Sequence, residues 1–346
     1  MDRVKLFKNT LEFKKIDRAP VWLMRQAGRY QKEYLAIREK YDFLTMCKTP
    51  ELAAEVSLLP KKLLDIDGII LFSDILTALE PLGVDLKFSS EGPVIDNPIR
   101  DLKSFKELRR FDSFKELKFV SETLKILKTE LEGKYPLFGF SGAPFTLASY
   151  MIEGKTTKNH SIIKKMMNRQ PELLKAILDL ITEQMIDYLK MQVHSGADYL
   201  QLFDTWAGVL SREDYLEFAL PYEKKIITNL QDTFGVKIFL YINGSSHLLD
   251  LIKETKVDVI SLDWRCNINE ASLMLSKMPI QGNLDPTVLY GDRTRIKKSV
   301  KNIFEVIGRK TGHVFNLGHG ILPDIDIDNV RYLIECVKEI SYENYR

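Results

Sequence analysis

Cysteine and histidine are scarce in this chain of 346 residues, which contains three of the first and five of the second. The cysteines, Cys47, Cys266 and Cys336, have no CxxC spacing, and an odd number does not close a disulfide framework. This usage is typical of a reducing compartment. The histidines form no HxxxH, HExxH or HxC pattern, so the sequence predicts no metal site.

Long hydrophobic runs and a charge excess are also missing. No apolar run approaches the roughly 20 residues that a membrane-spanning helix needs, and the N-terminal Met-Asp-Arg-Val-Lys lacks the apolar core of a signal peptide. We therefore expect a cytoplasmic protein that has no membrane partner. The net charge is only +2, whereas nucleic-acid-binding proteins usually carry a basic excess, so nucleic acid is not the expected partner.

A short apolar run followed by an amphipathic helix recurs about eight times. The runs are apolar on both faces and rich in β-branched and aromatic residues, as in parallel strands covered by helices. Eight such units predict an α/β fold, a single (β/α)8 barrel domain over residues 1–346, with an N-terminal extension in residues 1–20 and an inserted loop or hairpin in residues 80–112. The rival doubly wound sheet usually has a GxGxxG turn, which is absent here. The predicted strands are Val21–Met24, Gly68–Phe72, Pro136–Phe140, Tyr199–Phe203, Ile238–Ile242, Val257–Leu262, Pro279–Gln281 and Val314–Leu317.

Barrel active sites lie at the C-terminal ends of the strands, so the residues after each run are candidates. This rim is polar, and its acidic members are Asp74, Asp204, Asp263 and Asp285. Asp74 follows a buried run, where a carboxylate can accept N–H groups or stabilise a developing cation. The alternative is an ordinary helix N-cap, and the sequence taken alone favours it.

Two arginines, Arg25 and Arg29, follow the first predicted strand with Gly28 between them. Guanidinium groups bind carboxylates and phosphates through two parallel hydrogen bonds. Two of them on one loop therefore indicate a polyanionic ligand. Structural arginines that bond to helix ends or aspartates are an equally good interpretation of the spacing.

Two glycine-rich segments follow later strands. His319 lies in Asn316-Leu317-Gly318-His319-Gly320 and has the best claim of the five histidines to a functional role. The segment from Gly139 to Thr146 forms a turn that a ligand can approach, although it lacks the ending of a P-loop. Tyr150, farther along, is either a pocket phenol or a core tyrosine, and the core position is the commoner case.

Several of these motifs resemble the signatures of the uroporphyrinogen decarboxylase family. The segment from Pro20 to Tyr30, with Arg-Gln-Ala-Gly-Arg at its centre, is similar to the N-terminal signature. The segment from Gly139 through Tyr150 to Gly154 is similar to the second signature. Phe72-Ser73-Asp74-Ile75-Leu76 and Asn316-Leu317-Gly318-His319-Gly320 also match, and all four occur in the family's order across almost the whole chain.

The resemblance implies a distorted (β/α)8 barrel, often a homodimer, that decarboxylates the four acetate arms of uroporphyrinogen III to coproporphyrinogen III without metal or organic cofactor. It implies that Asp74 stabilises the cationic pyrrole, that Arg25 binds carboxylate and helps to deliver a proton, and that Tyr150 supports both Asp74 and the substrate. Further substrate contacts implied by the resemblance are Gln26, Ala27, Gly28, Arg29, Arg38, Thr205 and His319.

Two other functions remain open from the sequence. A zinc-dependent corrinoid methyltransferase uses the same barrel but needs a His-x-Cys thiolate site, which this chain lacks. A non-enzymatic tetrapyrrole-binding protein would retain the pocket, and the presence of both Asp74 and Arg25 argues against it.

Overall fold

The computed structural model describes residues 2–89, 92–308 and 312–345. Its strands are β1 (Ile69–Ile70), β2 (Leu86–Ser89), β3 (Gly92–Ile95), β4 (Leu137–Gly142), β5 (Tyr199–Phe203), β6 (Lys237–Tyr241), β7 (Val259–Ser261), β8 (Ile280–Leu284) and β9 (His313–Leu317). Its helices are α1 (Arg3–Leu11), α2 (Lys32–Arg38), α3 (Phe43–Lys48), α4 (Pro50–Leu63), α5 (Leu102–Lys106), α6 (Ser113–Glu116), α7 (Lys118–Leu131), α8 (Pro144–Glu153), α9 (Ser161–Arg169), α10 (Pro171–His194), α11 (Arg212–Phe218), α12 (Leu220–Phe234), α13 (Leu249–Ile252), α14 (Ile268–Met274), α15 (Arg293–Ile307) and α16 (Ile327–Tyr345). Short 3-10 helices span Thr77–Leu82, Ala207–Val209, Ser246–Leu248, Lys253–Thr255 and Pro286–Tyr290.

Seven parallel strands form one curled sheet in the order β1-β4-β5-β6-β7-β8-β9. An eighth position is filled by the segment around Val21, which pairs with Phe315 of β9 through a single parallel bridge. Trp22 N–H donates to the Phe315 carbonyl at 3.0 Å, and Phe315 N–H donates to the Pro20 carbonyl at 2.9 Å. The predicted barrel is thereby confirmed, with its first predicted strand, Val21–Met24, reduced to one bridge.

The other side of Val21 is joined to the approach to β1 by Asp67. Asp67 N–H donates to the Val21 carbonyl at 2.9 Å, and the Asp67 carboxylate accepts the Val21 N–H at 2.8 Å. The Arg18 guanidinium binds the same carboxylate with two hydrogen bonds, of 2.6 and 2.7 Å. Both side chains are buried. Because a side-chain carboxylate takes the place of a strand carbonyl here, the barrel closes where no regular ladder forms.

Helix α1 closes the N-terminal end of the barrel. Its Phe7 is fully buried and lies edge-on to Phe138 of β4, with ring centroids 5.6 Å apart. Tyr199 of β5 and Phe239 of β6 belong to the same apolar cluster. Aromatic side chains from successive strands and the extension thus fill this end, so the polar rim at the other end is left as the open mouth.

The sequence prediction holds for most elements and fails at helix junctions. The expected hairpin in residues 80–112 is present as β2 and β3, which pair in antiparallel fashion. The apolar spacing of Arg212–Phe234 predicts a single amphipathic helix. This prediction is wrong, because α11 ends at Phe218 and α12 begins at Leu220. Pro221 explains the break, since proline has no N–H for the helix ladder and clashes with the preceding turn. Among the described helices, none combines the length and the apolar character needed to cross a bilayer.

We predict that Asp67→Ala destabilises the protein by about 3–5 kcal/mol, because it leaves the buried Arg18 charge and the Val21 N–H without their partner. Denaturant unfolding measures this free energy. Asp65→Ala is the matched control: Asp65 lies two residues earlier, pairs with Arg3 and Lys338, and has a side chain that is 67% exposed. Its loss should cost at most about 1 kcal/mol. Equal effects for the two variants would refute a closing role for Asp67.

Candidate active site

Three neighbouring loops at the open end of the barrel carry the main predicted residues. They follow the Val21 bridge, β1 and β9, which are adjacent around the barrel. The first and third loops are bonded directly to each other. The Asn316 side chain accepts the Met24 N–H at 2.9 Å, and Ile321 N–H donates to the Met24 carbonyl at 3.1 Å.

Arg25 stands at the junction of these loops in an unusual conformation. Its φ is +58°, in the left-handed region that non-glycine residues rarely adopt. Such a conformation costs on the order of 1–3 kcal/mol, and it is frequent at functional sites. The side chain is exposed, and no described residue forms a hydrogen bond or an ion pair with its guanidinium group. Arg25 has an unfavourable backbone conformation, and its guanidinium N–H groups have no partner among the described residues. These two features fit ligand binding better than a structural role.

The charge of Arg25 acts on several groups around the mouth of the barrel. It opposes the rise that burial causes in the pKa of Asp74, of Tyr150 and of Tyr241, and it adds to the fall in the pKa of His319. These residues come from four separate elements, so the fold places Asp74, Tyr150 and His319 within range of the Arg25 charge, while their predicted roles remain predictions. Arg25 is the cation that they share.

Asp74 caps a turn with one carboxylate oxygen, and its predicted role toward a substrate cation remains a prediction. Its Oδ1 accepts the Leu76 N–H at 2.9 Å, which caps the turn leading into the 3-10 helix. No N–H or O–H of the described residues donates to its Oδ2. Burial of the carboxyl group raises its pKa to about 6, although the Leu76 hydrogen bond and Arg25 act in the opposite direction. Asp74 is therefore ionised at neutral pH, with one oxygen available to a ligand.

His319 is poised as a neutral donor. Gly320 N–H donates to its Nδ1 at 2.7 Å, which places the proton of the neutral ring on Nε2. Burial lowers the pKa of His319 to about 4, and the charges of Arg25 and Arg265 add to that effect. The ring also lies edge-on to Tyr241, with centroids 6.2 Å apart. At neutral pH it thus offers an uncharged N–H rather than a positive charge.

The middle of the first loop is held by its own side chains. Gln26 is buried, and its side chain contacts the Leu23 carbonyl and the Ile70 N–H, both at 3.3 Å. Gly28 N–H donates to the Gln31 side chain, and Ala27 packs against the small cluster that includes Tyr34. The Gln26 amide thus ties the loop to β1, whereas the predicted contact of these three residues with substrate remains a prediction.

Arg29 and Arg38 both act on a tyrosine of α2. Both are exposed, and both charges lower the pKa of Tyr34, whose net shift is upward because of burial. Arg38 also donates to the Tyr41 carbonyl at 2.9 Å. The two loop arginines therefore act on different groups: the Arg25 charge acts on Asp74, and the Arg29 charge acts with that of Arg38 on Tyr34.

Tyr150 and Thr205 are brought together by a tryptophan. Tyr150, on α8, is half-buried, and burial raises its pKa, with a further contribution from the Asp74 charge. Trp206 lies against it, with ring centroids 6.1 Å apart. Thr205 is half-buried on the same turn after β5. Both predicted residues thus belong to the wall of the mouth that faces Asp74.

The other three acidic rim residues are used by the fold. Asp263 accepts N–H groups from Gly244, Ser245 and Arg265. Asp285 accepts the Thr287 N–H, and Asp204 is buried beneath the rim. Of these carboxylates, Asp74 is the one whose pKa the Arg25 charge lowers.

One sequence interpretation is changed by packing. A Cβ on Gly139 would lie 2.4 Å from the Gln192 side chain, and one on Gly142 would lie 2.5 Å from Leu147. The glycine-rich turn therefore exists for close helix–strand packing rather than for the approach of a ligand. Across residues 2–89, 92–308 and 312–345, no three His, Cys, Asp or Glu side chains converge into a group that would hold a metal ion.

Arg265 is a rim cation that the sequence reasoning missed. Its side chain is 51% exposed, lies 4.3 Å over the Trp264 ring and donates to the Asn243 side chain at 2.9 Å. Its charge lowers the pKa of His319. The signal was present, because Arg265 comes two residues after Asp263 at the end of a predicted strand.

Known proteins share this arrangement of motifs over the whole chain. A sequence model of the family described as uroporphyrinogen decarboxylase (URO-D) matches residues 3–340. The uroporphyrinogen decarboxylase of Geotalea daltonii is 47% identical over 330 residues, covering 95% of this chain and 97% of the relative. That of Carboxydothermus hydrogenoformans is 46% identical over 328 residues, covering 94% and 93%. The chain belongs to the uroporphyrinogen decarboxylase family. It is therefore an enzyme, and the resemblance of its motifs is confirmed.

Solved structures extend the likeness of the fold beyond the uroporphyrinogen decarboxylase family. A methyltransferase from Methanosarcina mazei has a TM-score of 0.83 at 20% identity, covering 98% of this chain and 99% of its own. A B12-independent methionine synthase from Shewanella has a TM-score of 0.61 at 11% identity, covering 94% and 95%. Identities this low show a common barrel and leave the reaction to be argued from the site.

We predict that Gly320→Ala lowers kcat/KM for decarboxylation about 100-fold, the scale expected when a reacting group is misplaced by about 1 Å. The added Cβ would lie 2.3 Å from Cδ of Arg25, so the guanidinium group must move. Steady-state kinetics with Arg25→Ala and the double variant test the cause. If the loss acts through Arg25, Gly320→Ala adds little in the Arg25→Ala background, whereas additive losses would contradict this explanation.

Proposed function

We propose that this enzyme removes the carboxyl groups from the four acetate arms of uroporphyrinogen III, giving coproporphyrinogen III and carbon dioxide. The observation that carries the proposal is Asp74, an ionised carboxylate with one open oxygen and the unpaired Arg25 charge beside it. A central anion among cations fits a ring of pyrrole N–H donors surrounded by carboxylate arms. The identity to uroporphyrinogen decarboxylases supports the same substrate.

The reaction needs an electron sink, because a simple acetate arm does not release carbon dioxide. Protonation of the ring carbon next to the one that carries the arm creates an iminium-like cation that is delocalised onto the arm-bearing carbon. The bond to the carboxylate then breaks, carbon dioxide leaves, and the bonding electrons form a double bond between the arm carbon and the ring, which neutralises the cation. A proton added to the arm carbon and the loss of the first proton from the neighbouring ring carbon give a methyl group on an aromatic pyrrole. Asp74 lowers the barrier by stabilising the cation in surroundings of low polarity.

The remaining residues orient the substrate. Arg25 binds the carboxylate of the reacting arm, neutral His319 donates Nε2–H to a neighbouring carboxylate, and Arg29 and Arg38 hold carboxylates on the outer side of the loop. Tyr150 and Thr205 support the wall opposite Asp74. Orientation of this kind supplies a large share of catalysis. Arginine keeps its proton in proteins and is a poor acid, so its contribution to proton delivery is positioning.

Anaerobic incubation of the purified protein with uroporphyrinogen III tests the proposal. We expect porphyrinogens with seven, six, five and finally four carboxylates, separated by chromatography after oxidation. Absence of these products from folded protein would refute the decarboxylase function. One zinc per chain together with methyl transfer would favour the methyltransferase, and tight tetrapyrrole binding without turnover would favour the binding protein.

We predict that Asp74→Asn abolishes most of the activity in a folded protein. In the wild type, kcat/KM should fall about tenfold per pH unit below pH 6, because the raised pKa means that the carboxylate is protonated there. The same shift makes ionised Asp74 unfavourable for the folded state above pH 6, so the variant should unfold no more easily than the wild type at pH 8.

Asp285→Asn is the matched control for this variant. Asp285 is also a rim carboxylate and also accepts the N–H two residues ahead, at 2.9 Å. The Asp285→Asn variant should retain activity, and its kcat/KM should still fall below pH 6 as in the wild type. Full turnover by Asp74→Asn would rule out the cation-stabilising role, whatever the control shows.

We also propose that the enzyme acts in the cytoplasm as a homodimer that uses no cofactor. All three cysteines are free and buried, which fits a reducing compartment. The family resemblance supports the dimer, and sedimentation equilibrium measures it directly. A monomer that turns over at full rate would contradict this part of the proposal and leave the reaction unaffected.

A further inference from the structure

Two carboxyl groups meet in the interior behind the wall that carries Thr205. Asp204 follows β5, and Glu223 lies in the first turn of α12. Both side chains are fully buried, and each carboxyl shifts the pKa of the other as a neighbour within hydrogen-bonding reach. No lysine or arginine among the described residues forms an ion pair with either one. Two ionised carboxylates without a cation would repel each other strongly in such a place.

The hydrogen bonds around the pair leave one place for a proton. Oδ1 of Asp204 accepts the Thr146 N–H at 2.9 Å and the Thr146 hydroxyl at 2.5 Å. Oε2 of Glu223 accepts the Tyr215 hydroxyl at 2.5 Å. Oδ2 of Asp204 and Oε1 of Glu223 are buried, and neither receives an N–H or O–H from the described residues. A proton between these two oxygens satisfies both at once.

We propose that Glu223 is a positioning residue that stays protonated in the folded enzyme and donates its proton to Asp204, fixing the Thr205–Trp206 turn of the active-site wall. Asp204 is the anion because it receives two donors from Thr146, whereas Glu223 receives one from Tyr215. The resulting chain runs from Tyr215 to Glu223 to Asp204, with Thr146 donating to Asp204 from the other side.

This chain ends at the candidate active site. Trp206 N–H donates to the Thr146 hydroxyl oxygen at 3.0 Å. The Trp206 ring lies against Tyr150 and also against His160, with ring centroids 4.8 Å apart in the second contact. Thr205 lies between Asp204 and Trp206 on the same turn. The shared proton therefore holds the wall on which Tyr150 and Thr205 stand, and the inference rests on the proposed function for its catalytic meaning.

The surroundings of the pair agree with one retained proton. Burial and the charge of Asp204 raise the pKa of Glu223 well above its ordinary value. Burial also raises the pKa of Asp204, while its hydrogen bonds to Glu223 and Thr146 oppose that rise. The titratable group that faces the two carboxyls is the Tyr215 phenol, whose own pKa is raised by burial.

Glu223→Gln is the direct test, because its amide reproduces both bonds. The Gln nitrogen can donate to Asp204 and its oxygen can accept from Tyr215, but it has no proton to lose. Infrared spectra at pH 8 of protein with isotope-labelled glutamate should contain the carbonyl band of a buried carboxylic acid, and Glu223→Gln should remove it. Asp232→Asn is the control, since Asp232 is exposed on the same helix. Absence of such a band from the wild type would overturn the proposal.

Stability gives a second readout that is independent of catalysis. A group whose pKa is raised on folding stabilises the folded state below its unfolded pKa, and this contribution is lost as the pH rises. From about pH 5 upward, the unfolding equilibrium constant of the wild type should therefore rise about tenfold per pH unit relative to that of Glu223→Gln, until Glu223 ionises. Parallel stability curves for the two proteins would overturn the shared proton.

Catalysis tests the positioning role. Glu223→Gln should keep kcat within about twofold of the wild type, whereas Glu223→Ala should lower kcat at least about tenfold with a smaller change in KM. If Glu223→Ala does not fold, the infrared and stability results with Glu223→Gln still decide the proton. The wild type could show both the carboxylic acid band and the pH-dependent stability difference but no decarboxylation. That result would overturn the proposed function while supporting the shared proton. Normal kcat in folded Glu223→Ala would overturn the positioning role alone.

Discussion

The closure of the barrel at Val21 is the constraint on which the site depends. On one side Val21 pairs with Phe315 of β9 through a parallel bridge. On the other side the Asp67 carboxylate accepts the Val21 N–H in place of a strand carbonyl. Because Arg18 neutralises that carboxylate, the joint is buried without an unpaired charge. Closure makes three strand ends neighbours that are far apart in sequence. The loops carrying His319, Arg25 and Asp74 meet only for this reason.

The arginines around the mouth of the barrel act electrostatically on different groups. Arg25 acts on Asp74 and on His319, while Arg29 on the first loop and Arg38 at the end of α2 both act on Tyr34. A chain with a net charge of only +2 can in this way present several cations to one polyanionic ligand. Near-neutral composition excludes a broad basic surface, but it says nothing about charges gathered at one end of a barrel.

The sequence predicted the order and position of the strands well, because buried parallel strands are apolar on both faces and short. The rim residues could also be located, since they follow directly after those runs. Orientation could not be predicted: Asp74, Asp204, Asp263 and Asp285 look alike in sequence. Their different roles follow from partners such as Thr146 and Ser245, which only the folded chain brings to them. The left-handed conformation of Arg25 is likewise invisible in sequence.

Burial has different consequences for the two carboxyl groups of Asp74 and Glu223. Burial raises the pKa of both. Glu223 has another carboxylate as its neighbour, so keeping the proton satisfies two oxygens and turns a repulsion into a hydrogen bond. Asp74 has Arg25 and a backbone N–H as neighbours, so it can lose its proton near neutral pH with one oxygen still unfilled. We therefore expect ligand binding at Asp74, where one carboxylate oxygen has no hydrogen-bond donor among the described residues. The proton proposed between Glu223 and Asp204 instead gives a partner to the two buried oxygens that lack one.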